Sequence, residues 1–179
     1  MWYVIQVFSG RENLTKQMCQ TLVKDNAIRQ CFIPFSEKKF KYKGKWITTQ
    51  VVLFPGYLFI ETEEKEELFF QLKKVPLFTK VLGLEYEMVA LMEEEVRFIT
   101  ALMDENHTVK MSEGIIVGER VFVYEGPLQG REGLIKKVDR RKRLAVLEME
   151  LLGRTIDVTV GLEIVAKNEE REFEVVYSY

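Results

Sequence analysis

The sequence predicts an α+β domain joined by a linker to a small β-barrel, and three observations carry that prediction. Residues 1–103 mix short extended runs with helical periodicity. "DENHTVKMSEG", Asp104 to Gly114, is polar and has no apolar period, which reads as a linker. Beyond it hydrophobicity switches to period two: Val121 and Val123 alternate with Phe122 and Tyr124, and Ile156, Val158 and Val160 alternate with Thr155, Asp157 and Thr159. Short alternating strands with Gly-bearing turns suggest a barrel of roughly fifty residues. The expected division is 1–103, a flexible linker over 104–113, a barrel over 114–168 and a C-terminal extension over 169–179.

Each element has a local reason. Met1 to Phe8 reads as a strand. "SGRE" follows, where Ser9 and Glu12 have the spacing of a capping box. Leu14, Met18, Leu22 and Val23 then recur at helical spacing to about Asp25. "CFIPF" is a short strand, and "EKKFKYKGKW" is a lysine-rich hairpin with Gly44 at its tip. "WITTQVVLF" and "PGYLFIET" are strands broken at Pro55-Gly56. Glu63 to Lys74 has acids early and lysines late, which suits a helix dipole. Val81-Leu82 forms a last strand, and Glu93 to Met103 a last helix with Val96, Ile99, Leu102 and Met103 inward.

Composition narrows the function. A net charge of −2 over 179 residues excludes a surface that coats nucleic acid, so any such contact is local. No apolar run reaches membrane-spanning length, and "MWYVIQVFSGRE" lacks the features of a signal peptide, so a cytoplasmic protein is expected. Cys19 and Cys31 lie in apolar settings without metal-ligand spacing and read as reduced packing residues. The only histidine, His107, falls in the linker, where a solvated surface role is expected. "EGPLQGREG" lacks the ending of a phosphate loop, and its glycines suit tight turns with positive φ. No nucleophile–base pair or metal cluster emerges, so the expectation is a monomeric non-enzyme without cofactor or metal.

Two features point to binding. "VVLFPGYLF" gathers Phe54, Pro55, Gly56 and Tyr57, either as a buried strand corner or as an exposed aromatic patch, and periodicity favours neither. The second is "VDRRKRL". Between Arg131 and Arg143 stand seven cations (Arg131, Lys136, Lys137, Arg140, Arg141, Lys142, Arg143) and two acids, a net +5. Spacing alone favours a solvated hairpin tip that guards a sheet edge. The alternative is a phosphate site, because an arginine fork takes two phosphate oxygens or stacks on a base.

These stretches carry a resemblance. "WYVIQVFSGRE" and "LFPGYLFIE" resemble the opening and central segments of NusG-family transcription elongation factors. "GERVFVYEGPLQGREGLIKKVD" and "LLGRTIDVTV" resemble their KOW motif and closing strands, with Gly126 and Gly133 as the KOW turn glycines. The resemblance runs in order from Met1 to about Lys167. It implies an N-terminal NGN-type α/β sandwich that binds the β′ clamp helices of RNA polymerase, and an SH3-like KOW barrel that binds accessory partners. Phe54, Pro55, Gly56 and Tyr57, with Trp2 and Tyr3 nearby, match the polymerase-binding segment. Where the housekeeping factor has aromatics that contact a ribosomal protein or Rho, this chain has Leu128, Arg131 and Leu152. With its basic loop, the pattern is most similar to the specialised paralogs, LoaP above all, which act as antiterminators engaging leader RNA. The expected partners are therefore RNA polymerase and a structured nascent RNA hairpin, the latter contacted by Arg131, Lys136, Lys137, Arg140, Arg141, Lys142, Arg143 and Arg154. The alternative is a general factor coupling polymerase to the ribosome or Rho, with Leu128, Leu151 and Leu152 as an apolar patch.

Overall fold

The computed structural model describes residues 1–23, 27–76, 78–81 and 89–168. The C-terminal extension over 169–179, Leu82 and the expected helix end near Asp25 lie outside them. In order, the elements are β1 (Trp2–Val7), α1 (Glu12–Leu22), β2 (Gln30–Phe32), β3 (Phe35–Tyr42), β4 (Lys45–Val52), β5 (Tyr57–Glu61), α2 (Lys65–Leu72), β6 (Phe78–Val81) and α3 (Glu93–Leu102). There follow β7 (Thr108–Val109), β8 (Ser112–Val117), β9 (Arg120–Glu125), β10 (Ile135–Asp139), β11 (Leu144–Leu151) and β12 (Arg154–Asn168). Among the described residues no helix is long and apolar enough to cross a membrane.

These elements form two compact units: Met1–Phe35, Val52–Thr108 and Glu150–Ile156 in the first, and Ser36–Val51, Val109–Met149 and the chain from Asp157 on in the second. They are not the two sequential domains expected. The lysine-rich hairpin belongs to the second unit, and the turn between β11 and β12 belongs to the first.

In the first unit an antiparallel sheet has the order β2-β5-β1-β6. Tyr3 pairs with Ile60 and Ile5 with Leu58, so strand alternation sends Tyr3, Ile5 and Val7 to one face. There they join Leu68 and Leu72 of α2, and Cys19 of α1, in one buried cluster. Trp2, Phe32, Phe59 and Phe54 form an aromatic chain with centroid separations of 4.9, 5.6 and 5.3 Å. Helix α1 is rotated from the expected stripe: it buries Glu12, Thr15 and Cys19, and leaves Leu14 and Leu22 exposed. The expected capping box is also absent. Ser9 caps nothing, because Arg11 is the N-cap and makes no side-chain cap bond, while the Glu12 carboxylate points inward.

The linker segment is ordered by its own polar groups. Asp104 Oδ1 accepts hydrogen bonds from the backbone N–H groups of Asn106 and Thr108, both at 2.9 Å, and the chain then enters β7. His107 departs from the solvated role expected of it. Its ring stacks on Phe32 at 4.1 Å and lies 3.2 Å from the Gln30 amide nitrogen. Burial holds its pKa below the ordinary histidine value.

The period-two segments are strands, as their alternation implied: Val123, Val158 and Val160 are buried, whereas Phe122, Tyr124, Thr155 and Asp157 are exposed. The five-stranded sheet has the order β10-β11-β12-β8-β9, and among the described residues no ladder joins its two edges into the closed barrel expected. β12, 15 residues long, lies beside β11 and continues parallel to β8 from Leu162 onward. Gly126 has φ +93°, and an added Cβ there would lie 2.6 Å from the Met111 carbonyl oxygen, so only glycine fits. Gly133 does not share that constraint: it lies in a single 3-10 turn, Glu132–Leu134, with open space around it.

Candidate functional site

The first candidate surface lies at the turn between β4 and β5. Tyr57 N–H closes the turn onto the Phe54 carbonyl at 3.1 Å, and the Gly56 carbonyl accepts from Val7 N–H at 2.8 Å. Glu12 Oε1 takes the Gly56 N–H at 2.7 Å inside the protein. The Glu12 carboxyl pKa is lowered: burial acts to raise it, but hydrogen bonds from the backbone N–H groups of Gly56, Glu12 and Gly10 outweigh that cost. The turn is thus fixed from β1 and α1 together.

Its aromatics divide between core and surface. Phe54 is 4% exposed and Tyr3 1%, so both are core residues and neither is the surface contact expected of it. The alternation that also buries Ile5 and Val7 claims Tyr3, and packing on Phe59 claims Phe54. Pro55 stays exposed, Trp2 and Tyr57 are half-buried, and Gly56 is buried. With Phe8, 58% exposed, Pro55 and Tyr57 wall a groove of about 380 Å³. Sequence reasoning did not single out Phe8, which lies just beyond the end of β1.

The second candidate surface is the turn between β10 and β11. Asp139 pairs with Leu144 across the ladder, and Asp139 Oδ1 accepts the Lys142 N–H at 2.9 Å. The side chains of Arg140, Arg141 and Lys142 are exposed. Arg143 differs from them. Its φ is +55°, its guanidinium lies 3.7 Å from the centroid of the Trp46 ring, and Glu163 holds it at 2.6 Å. It is a packing residue rather than a free phosphate contact.

Other expected cations are also engaged. Lys136 is held by Asp157 at 3.0 Å and Glu148 at 3.1 Å, and these carboxylates raise its pKa. Arg131 donates to the Pro127 carbonyl of its own loop at 3.1 Å. Lys137 is exposed beside the turn, whereas Arg154 is exposed on a segment of the first unit. The structure therefore gathers Arg140, Arg141, Lys142 and Lys137, and withdraws Arg131, Lys136 and Arg143. The cause is carboxylates and carbonyls that meet these cations only after folding.

The apolar patch expected for ribosome or Rho coupling is mostly core, with Leu152 alone half-buried. Leu128 is 0% exposed and Leu151 6%, while Leu152 N–H donates to Glu95 Oε1 at 2.5 Å. No group of three or more His, Cys, Asp or Glu residues could hold a metal ion among the described residues.

Comparison with known proteins identifies this arrangement. The family model described as transcription termination factor NusG matches residues 1–100. The chain belongs to the NusG family. Its relatives in the family include the transcription termination/antitermination protein NusG of Staphylococcus aureus, 28% identical over 174 residues, which cover 93% of this chain and 94% of that protein. The NusG of Campylobacter jejuni is 26% identical over 164 residues, covering 89% and 92%. A solved structure of Thermotoga maritima NusG superposes with a TM-score of 0.56 at 20% identity, covering 91% of this chain and 93% of that one, a likeness of fold. The NusG fold here is a mixed α/β architecture.

Proposed function

We propose that this NusG-family chain is a processive antitermination factor of the specialised, LoaP-like kind, which binds RNA polymerase through its N-terminal NGN segment and a nascent RNA hairpin through its C-terminal KOW segment. One observation carries the reading: Arg140, Arg141 and Lys142 stand exposed on one turn, with no carboxylate paired to their side chains among the described residues, while nearby Lys136 and Arg143 are held by carboxylates. A phosphate backbone relieves that repulsion, and an A-form stem presents phosphates on a rigid surface.

The polymerase contact, at the β′ clamp helices, falls to Phe8, Pro55 and Tyr57, apolar groups around a groove whose shape is fixed by Glu12 and β1, with Trp2 at the other end of β1. A few aromatics that lose their water can supply most of such an interface. Coupling to the ribosome or Rho is the weaker reading, because Leu128 and Leu151 are core residues.

The test is binding of the full chain to purified RNA polymerase, and separately to a leader-type RNA stem-loop. Phe8→Ala with Tyr57→Ala is expected to cost about 2 to 4 kcal/mol of polymerase affinity and leave RNA affinity intact. Arg140, Arg141 and Lys142 changed to Gln is expected to do the reverse. Polymerase binding that survives the aromatic pair, or RNA binding that survives the cation triple, refutes the corresponding half.

A further inference from the structure

The β3–β4 hairpin is separated from the basic turn by about a hundred residues of chain, yet both belong to the second unit. Their junction is specific. The Trp46 ring of β4 carries the Arg143 guanidinium at 3.7 Å. Glu163 of β12 then accepts Arg143 on one oxygen and Lys39 of β3 on the other. Behind them β12 approaches β3 so closely that a Cβ at Gly161 would lie 2.5 Å from the Glu37 carbonyl oxygen.

The hairpin's outer half is basic and aromatic. Lys43 and Gly44 have φ +46° and +81°, which closes a two-residue turn of the tight primed kind. Such a turn sets Tyr42 opposite Lys45 and Lys41 opposite Trp46. Lys41, Lys43 and Lys45 are exposed and carry no ion pair among the described residues, whereas Lys39 is used at the junction. Between them Phe40, Tyr42 and Trp46 are 45%, 54% and 39% exposed, and the Lys43 ammonium lies 5.4 Å from the Tyr42 ring centroid. Lys41 and Lys45 sit within about 4 Å of Trp46's level along the strands, and Lys43 within roughly 10 Å.

We propose that this hairpin and the β10–β11 turn form one continuous RNA-binding surface. The turn and the lysines Lys41, Lys43 and Lys45 take phosphates, and the exposed hairpin rings take unpaired bases flanking a stem. The Arg143–Trp46 stack is the joint that holds the two halves together. This rests on the reading of the β10–β11 turn as an RNA contact. Charge complementarity selects a polyanion, and cations interleaved with exposed rings select a nucleic acid over an acidic protein, since bases have faces to stack and carboxylates do not.

The experiment compares the salt dependence of binding, by fluorescence anisotropy, for the full chain with an RNA stem-loop bearing a single-stranded flank. The chains are the parent, the hairpin triple Lys41→Gln, Lys43→Gln, Lys45→Gln, and the turn triple Arg140→Gln, Arg141→Gln, Lys142→Gln, each checked for an unchanged melting profile. The hairpin triple is expected to weaken binding at least tenfold and to reduce the log–log salt slope by about 2 to 3, near one unit per lost phosphate contact. If the turn triple weakens binding and the hairpin triple does not, the RNA reading stands and the composite surface is wrong. If neither weakens it, both are wrong. Polyglutamate that competes as well as RNA of equal charge would identify an acidic protein as the partner and overturn the proposal.

Discussion

The carboxylate of Glu12 accepts a 2.7 Å hydrogen bond from the backbone N–H of Gly56, 44 residues further along the chain. Glu12 is only 4% exposed, so this is a buried charge whose stability depends on backbone donors. Glu12→Ala removes the acceptor and leaves the Gly56 N–H unsatisfied, a loss of about 1 to 3 kcal/mol in urea unfolding. Glu12→Gln keeps an acceptor and is expected to lose less. The folded-state pKa is lowered from 4.5, so the contribution is complete above that value and disappears as pH falls through the folded pKa. Acid titration of stability should therefore be shallower for Glu12→Gln than for the parent. An identical acid limb would show that the bond contributes nothing.

His107 supplies a separate pH window. Its ring stacks on Phe32, and burial depresses its pKa below the usual 6.5. In the unfolded chain the ring binds a proton near 6.5, and in the folded protein only at lower pH. Stability is thus complete above 6.5 and falls as pH drops below it. Thermal melts of the parent should show this decline between 6.5 and the carboxylate range, and His107→Phe should flatten it. A decline that persists in His107→Phe would assign the effect to another group.

The legible part of the fold was the part written in local periodicity. Alternation located β9 and β12, and the β-favouring run from Met1 to Phe8 implied β1. What sequence could not supply was the partner each polar group would meet. Glu12 has capping-box spacing, but its carboxylate turns inward to Gly56, and Met18 and Val23 pack with the core while Leu14 and Leu22 are exposed. Asp104 turns a polar stretch into an ordered turn. At the candidate site sequence ranks Arg143 with Arg140 and Arg141, yet Glu163 and Trp46, distant in sequence, remove it from the set. Phe54 and Tyr57 likewise looked alike, and only the position of Phe59 separates the buried ring from the half-exposed one.

The Arg143–Trp46 pair is the place where these relationships have an energetic consequence that can be isolated. The Arg143 side chain is 23% exposed, so its guanidinium is partly desolvated between the indole face and the Glu163 carboxylate. A cation–π contact in that setting is worth about 1 kcal/mol, between the exposed and the desolvated limits. A double-mutant cycle with Trp46→Ala and Arg143→Gln, read by urea unfolding, should return a coupling near that value. Additive losses would mean that ring and guanidinium merely coincide. The pair also makes a charge-neutral prediction for RNA. Trp46→Ala removes no cation, so a change in binding reports where the hairpin sits rather than how many charges remain. In the proposed composite surface the stack joins the hairpin lysines to the β10–β11 turn, so its loss should lower the salt slope by about 1 or more despite the unchanged net charge. A slope equal to that of the parent would mean that β12 packing alone, through Gly161 and Glu37, keeps the hairpin in place.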